Sequence, residues 1–297
     1  MIAEAANPLL DPWRFQAHPE VWLLVGFLVG AYVYAVRVIG PQAVGAGPVV
    51  TRRNIAAFVS AMVILFLASD WPLHDLAEEY LYSMHMLQHM ALSYFVPPLA
   101  LLATPDWLFR ALVGEARAYR VVRWFAKPVI AGVLFNLVVM VTHIPAMVNR
   151  SASSSPLHYS LHVLVVTTAI LMWMPLCGPA RELRIGYGAR MIYLFLMSVV
   201  PTVPAGWLTF AEGTVYKHYD MPVRVWGMSV ETDQQLAGAI MKLGGSIFLW
   251  TIVIYMFFRR FARNFNQEQS LVRDAPLTYE EVERAFETTP PAPEPQR

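Results

Sequence analysis

Charge and cysteine are what this sequence has least of. Of 297 residues only 14% are charged, while 57% are hydrophobic and the mean hydropathy is +0.45. A soluble domain carries charge on about a quarter of its residues, so an ordinary soluble globular fold is excluded. The net charge is only +1, so nucleic acid is not an expected partner. A single cysteine, Cys177, excludes an internal disulfide framework, a CxxC redox pair and a thiolate zinc cluster. HExxH is missing too: methionine follows His85, so the general base which that motif supplies to a zinc hydrolase is absent. No Ser-His-Asp arrangement stands out. The first residues carry Glu4 and Asp11 in place of a basic stretch and are not expected to form a cleaved signal peptide.

What the chain has is apolar length. A spanning helix needs about 20 mostly apolar residues. Seven segments meet or approach this: Val21–Ile39, Ile55–Ser69, Leu81–Leu102, Pro128–Val148, His158–Leu176, Met191–Phe210 and Leu236–Phe258. The expected fold is all-α, a polytopic membrane bundle of seven transmembrane helices over residues 21–260, with membrane lipid as its surroundings. An extracytoplasmic segment, 1–20, precedes it. The polar tail 261–297 cannot bury a core and is expected to be largely disordered.

Basic residues orient the bundle. Arg37, Arg52 and Arg53, then Arg110, Arg117, Arg120, Arg123 and Lys127, then Arg181, Arg184 and Arg190, and finally Arg259, Arg260 and Arg263 fall on one side. The other side holds Arg14, Arg150, Lys217 and Arg224, with the acidic residues Asp70, Asp75, Glu78 and Glu79. The expectation is an N-terminus outside and a C-terminus in the cytoplasm of a bacterial inner membrane.

In that topology all eight histidines fall at the outer side: His18, His74, His85, His89, His143, His158, His162 and His218. His85 and His89 are four apart, as are His158 and His162, so each pair shares a helix face. His143 lies near the outer end of the fourth segment. Three helices can therefore present five imidazoles at one level. A lone membrane histidine is commonly satisfied by neighbouring backbone; two pairs and a fifth ring at matched depth point to a metal or cofactor site. Imidazole with thioether and no carboxylate leans toward copper. Hard cations would want clustered carboxylates. Met84, Met86, Met90, Met140 and Met147 are close in sequence, although methionine is more often packing than ligand.

A second stretch enters the last helix from outside. Asp233 is the expected N-cap there, Gln234 and Gln235 are candidates to support the ligands, and Lys242 is expected to snorkel outward or pair with Asp70 or Asp233.

The segments Ala77-Glu78-Glu79, His85-Met-Leu-Gln-His89-Met90, His143-Ile-Pro-Ala146, Leu157-His158, His162 and Asp233-Gln-Gln-Leu-Ala-Gly-Ala-Ile-Met241 together resemble the CtaG family of caa3-type cytochrome c oxidase assembly factors. The likeness extends from the second segment to the seventh and departs at Lys242-Leu-Gly, where a tryptophan-containing stretch would be in keeping. The resemblance implies a metallochaperone of the respiratory chain that delivers or inserts copper into a haem–copper oxidase. Its implied partners are oxidase subunits and a periplasmic copper donor, and it is not an enzyme. Copper would be held by His85, His89, His143, His158 and His162. Three rivals use the same residues: a haem-binding membrane cytochrome with bis-histidine ligation, a seven-helix zinc hydrolase, and a copper permease, for which the inner helix halves offer few polar groups.

Overall fold

The computed structural model describes residues 11–114, 116–273 and 278–288. Among these there is no strand. Six stretches of helix are long and apolar enough to cross a membrane, and seven if one bent pair is counted as a span. Contacts divide the chain into Met1–Thr251 and Ile252–Arg297.

The helices follow the apolar segments, since a chain in hydrocarbon must satisfy its own backbone polar groups. Helix α1 covers Pro19–Val44 and α2 covers Arg52–Ser69, the latter opened by a capping box between Thr51 and Asn54. Helix α3 runs Tyr82–Ala103. Two amphipathic helices, α4 (Asp106–Val113) and α5 (Ala116–Phe125), follow it. Then come α6 (Pro128–Thr142), α7 (Pro145–Ala152), α8 (Ser155–Cys177), α9 (Tyr187–Val199) and α10 (Thr202–Thr209). Helix α11 (Val230–Ala239) continues through a π-turn at Ile240–Gly244 into α12 (Gly245–Arg273). Helix α13 is Tyr279–Thr288. Thus the tail expected to be largely disordered is helical to Arg273 and again over α13, while residues 274–277 and 289–297 lie outside the described residues.

Helix α3 is central. It packs on α2, α8 and α11, and over half of its apolar stretch is buried. By contrast α1 exposes Leu23 and Phe27 at over 70%, as a lipid-facing helix does. Helix α11 fits against α10 because Gly238 has no side chain. A methyl group there would stand 2.6 Å from Thr209 Oγ1 and 2.7 Å from the Ala205 carbonyl oxygen.

Two breaks differ from the expected segments. The fourth, Pro128–Val148, is not one helix. Pro145 has no N–H and disfavours helical geometry at the residue before it. Ile144 is accordingly extended (φ −66°, ψ 129°), and the helix ends at Thr142. At its other end α6 turns through 68° from α5. The second break lies ahead of α3. A π-turn at Leu76–Tyr80 is followed by extended Leu81 (φ −130°, ψ 114°), and helix resumes at Tyr82.

That second break also corrects the role of Asp233. It does not cap its own helix. Ser229 does, accepting the Thr232 N–H at 3.1 Å. The Asp233 carboxylate reaches across to α3, accepting the N–H of Tyr82 (2.8 Å) and of Ser83 (3.0 Å). An anion at the exposed N–H groups of a helix start is favoured by hydrogen bonding and by the helix dipole. Lys242 is likewise paired elsewhere than expected, with Thr202 Oγ1 on α10.

Candidate metal centre

Four histidines meet where the first turns of α3 and α8 face one another. The helical spacing of four brings the rings of His85 and His89 to 4.5 Å between centres, and those of His158 and His162 to 4.4 Å. Across the helices His85 stands 5.7 Å from both His158 and His162, and His89 stands 4.8 Å from His162. His143, at the break after α6, touches only His89 among these rings, at 6.4 Å.

A carboxylate joins them. The π-turn and the extended Leu81 carry Glu78 over the cluster, where Oε1 lies 3.3 Å from His85 Nδ1 and Oε2 lies 2.9 Å from His158 Nε2. One donor atom from each of Glu78, His85, His158 and His162 falls within 4.8 Å of every other. The expectation of a site without carboxylate is therefore corrected. Histidine spacing within helices does not reveal Glu78, because the acid sits on a non-α turn. The signal that pointed to it was its place just ahead of the His85–His89 stretch.

The turn bearing Glu78 is clamped by the long loop before α11. Tyr219 Oη donates to the Ala77 carbonyl at 3.1 Å, and His218 Nε2 donates to the Glu78 carbonyl at 3.2 Å. Burial by itself would raise the Glu78 carboxyl; the facing His158 and His85 rings hold it far below the usual carboxylate range.

His143 is oriented by the break at Pro145. Its backbone N–H turns to Met140, and its ring Nδ1 approaches the Val139 carbonyl at 2.6 Å. A carbonyl can only accept, so Nδ1 carries the proton and Nε2 is left as a bare lone pair. Tyr216 Oη fixes the same corner by donating to the His143 carbonyl at 3.0 Å. A ligand histidine needs this state, with one nitrogen donated to a carbonyl and the other free for a metal.

The polar atoms themselves test whether a cation fits. His143 Nε2 and His162 Nε2 are buried without a partner, while Glu78 Oε1, His85 Nδ1 and His158 Nε2 have only the ion-pair contacts between Glu78 and the two rings. Each of these two orphans costs about 1–3 kcal/mol, and both belong to the same group of rings. Between His85, His89, His158 and His162 lies a cavity of about 20 Å³, room for a single water or ion. It adjoins an open chamber of about 380 Å³ walled by Glu78, Glu79, His74, His158, His218 and Met221, among others. His74, whose pKa burial lowers, accepts from Gln88 at 3.1 Å and stacks edge-on against His18 at 4.8 Å.

The supporting residues named from sequence are directed elsewhere. Gln234 accepts from the N–H of Val215 (2.8 Å), and Gln235 donates to the Ala211 carbonyl (3.2 Å). Met84 packs against Leu76, Tyr80, Leu81 and Val225, and Met86 against Tyr82 and the loop tyrosines. Met90 turns toward Gly244 and Gly245, Met140 is exposed, and Met147 is half-buried on α7.

Residues 25–263 match the family described as cytochrome c oxidase caa3 assembly factor (Caa3_CtaG). The chain belongs to that family. The match takes in Glu78 and all five histidines of the cluster; His18 falls outside it. Family membership associates the chain with cytochrome c oxidase assembly. No curated protein and no solved structure matches the chain.

Proposed function

We propose that this protein is a copper-binding assembly factor which captures copper at the outer face of a bacterial inner membrane and passes it to a haem–copper cytochrome c oxidase. The observation that carries the reading is the group of Glu78, His85, His158 and His162, whose ligand atoms lie within 4.8 Å of one another, with His143 Nε2 and His162 Nε2 buried and unpartnered beside it, in a chain of an oxidase assembly family. The basic residues of α4, α5 and the α8–α9 connection, read by the positive-inside rule, support an orientation with the histidines outside and the C-terminus in the cytoplasm. Copper from a periplasmic donor would enter through the open chamber.

Three imidazoles and a carboxylate suit a borderline divalent ion, and at equal access copper binds such a set more tightly than zinc. Thioethers do not line the small cavity, so the choice of copper rests on imidazole chemistry and on the oxidase. Copper here is cargo. The chain's residues hold it by ligand exchange, with Glu78 and His158 facing the chamber and able to take the ion first. No bond to carbon is made or broken, and the protein is not an enzyme.

Elemental mass spectrometry on protein purified in detergent without added metal tests this, with copper as the expected result. The variant His85→Ala/His89→Ala should remain folded and leave the oxidase short of copper when copper is limiting. Normal oxidase metallation in that variant overturns the proposal. Glu78 gives one rival a specific footing: three histidines with a carboxylate could also hold zinc and a water beside a general base. Zinc in place of copper in the purified protein favours that hydrolase, and iron with a Soret band favours a haem cytochrome.

A further inference from the structure

The donors are spread too widely for one ion, and the geometry points to two metal positions in series. The entry position lies among Glu78, His85 and His158. The inner position lies between His89 and His143. His162 is within reach of both. This inference rests on reading the centre as a metal site, but not on the metal being copper.

Reach decides it. With a metal–nitrogen bond of about 2.0–2.1 Å, an ion lies about 3.2 Å from the centre of an imidazole that binds it. Two rings on one ion then have centres at most about 6.4 Å apart, and about 5.2 Å apart in a tetrahedral site. His85, His158 and His162, at 4.4–5.7 Å from one another, can share one ion with Glu78. His143 cannot join them. Among the described residues its ring contacts only that of His89, at 6.4 Å, which allows a shared ion in a nearly linear arrangement. His89, 4.5 Å from His85 and 4.8 Å from His162, links the two positions.

His143 supplies an independent observation. It is 7% exposed, its proton is committed at Nδ1 to the Val139 carbonyl, and its Nε2 lone pair has no partner. A residue kept only for packing would not leave that atom orphaned, whereas a cation on Nε2 resolves it. The two positions also differ in charge. The entry position includes Glu78, whose negative charge adds to the attraction for a cation, while the inner one is built of neutral imidazoles alone; Cu(I) suits both. An ion passing inward would leave the carboxylate behind.

The test is metal stoichiometry on the full chain in detergent, titrated anaerobically with Cu(I) in a competing chelator and separately with Zn(II). The expected result is two Cu(I) per chain in the unaltered protein and one in His143→Ala, while Glu78→Gln still binds two but holds the entry ion at least ~10-fold more weakly. One ion in the unaltered protein, or two retained in His143→Ala, overturns the inference. If His143→Ala fails to fold, the count in the unaltered protein decides alone. Two zinc ions and no copper would overturn the copper reading and keep the two positions; one copper per chain would do the reverse. No bound metal of either kind overturns both.

Discussion

Replacing Asp233 tests how the centre is built, because that residue joins α11 to the start of the histidine-bearing helix. Its side chain is fully buried, and its two oxygens accept the N–H of Tyr82 and Ser83. These are two of the four N–H groups that the start of α3 leaves without a partner inside the helix. In Asp233→Ala both are stranded in the interior at about 1–3 kcal/mol each, and the favourable charge at the helix start is lost as well. The contributions overlap, and their combined cost is about 3–5 kcal/mol, as for breaking other buried charged contacts. At about 2–4 °C per kcal/mol for a chain of this size, the midpoint of thermal unfolding should fall by on the order of 10 °C. Asp233→Asn keeps one acceptor and should lose about half as much. Ser229→Ala removes only the cap of α11 and should cost about 1 kcal/mol. His85 begins the next turn of α3, so metal affinity should weaken in Asp233→Ala and hold in Ser229→Ala. The assays are thermal unfolding in detergent and a competitive metal titration. A midpoint for Asp233→Ala within about 2 °C of the unaltered protein, or a larger loss in Ser229→Ala than in Asp233→Ala, would refute the cross-helix role.

Other perturbations separate the remaining parts. Glu78→Gln keeps the shape of the side chain but removes its charge, and should lower affinity at the entry position at least ~10-fold by competition titration; unchanged affinity would remove Glu78 from the centre. Gly238→Ala drives a methyl group into the Thr209–Ala205 backbone and should destabilise the protein by about 1–3 kcal/mol, read as a lower unfolding midpoint. His18 bonds to Asp75 at 2.7 Å and to Glu20 at 3.2 Å; burial opposes its charge, but the two carboxylates outweigh burial and raise its pKa. Its contribution is therefore fully present at low pH, below about 6.5, and is lost as pH rises through the elevated value. Unfolding midpoints of the unaltered protein and of His18→Ala should converge as pH rises from 6 toward 9, and a constant gap across that range would contradict the assignment.

Apolar length in the sequence determined the all-helical bundle and, within a few residues, where most of its helices lie. The reason is local: each helix must cover the hydrocarbon thickness with its own residues and satisfy its own backbone. Histidine spacing determined in the same way that His85 shares a face with His89, and His158 with His162. The end of α6 was also written locally, in Pro145, though the apolar run Pro128–Val148 hid it. What only the tertiary structure decided are the relations between elements. Glu78 meets His158, 80 positions away, because a π-turn and an extended Leu81 swing it over the cluster. Asp233 serves the start of α3, 150 positions from Ser83, although its local context reads as a cap for its own helix. Whether His143 offers a free nitrogen depends on a carbonyl exposed by the broken helix, and whether it joins the other rings depends on how α6 packs on α8. Periodicity places a side chain on a face, but a metal centre is made of distances between faces, and those are set by packing.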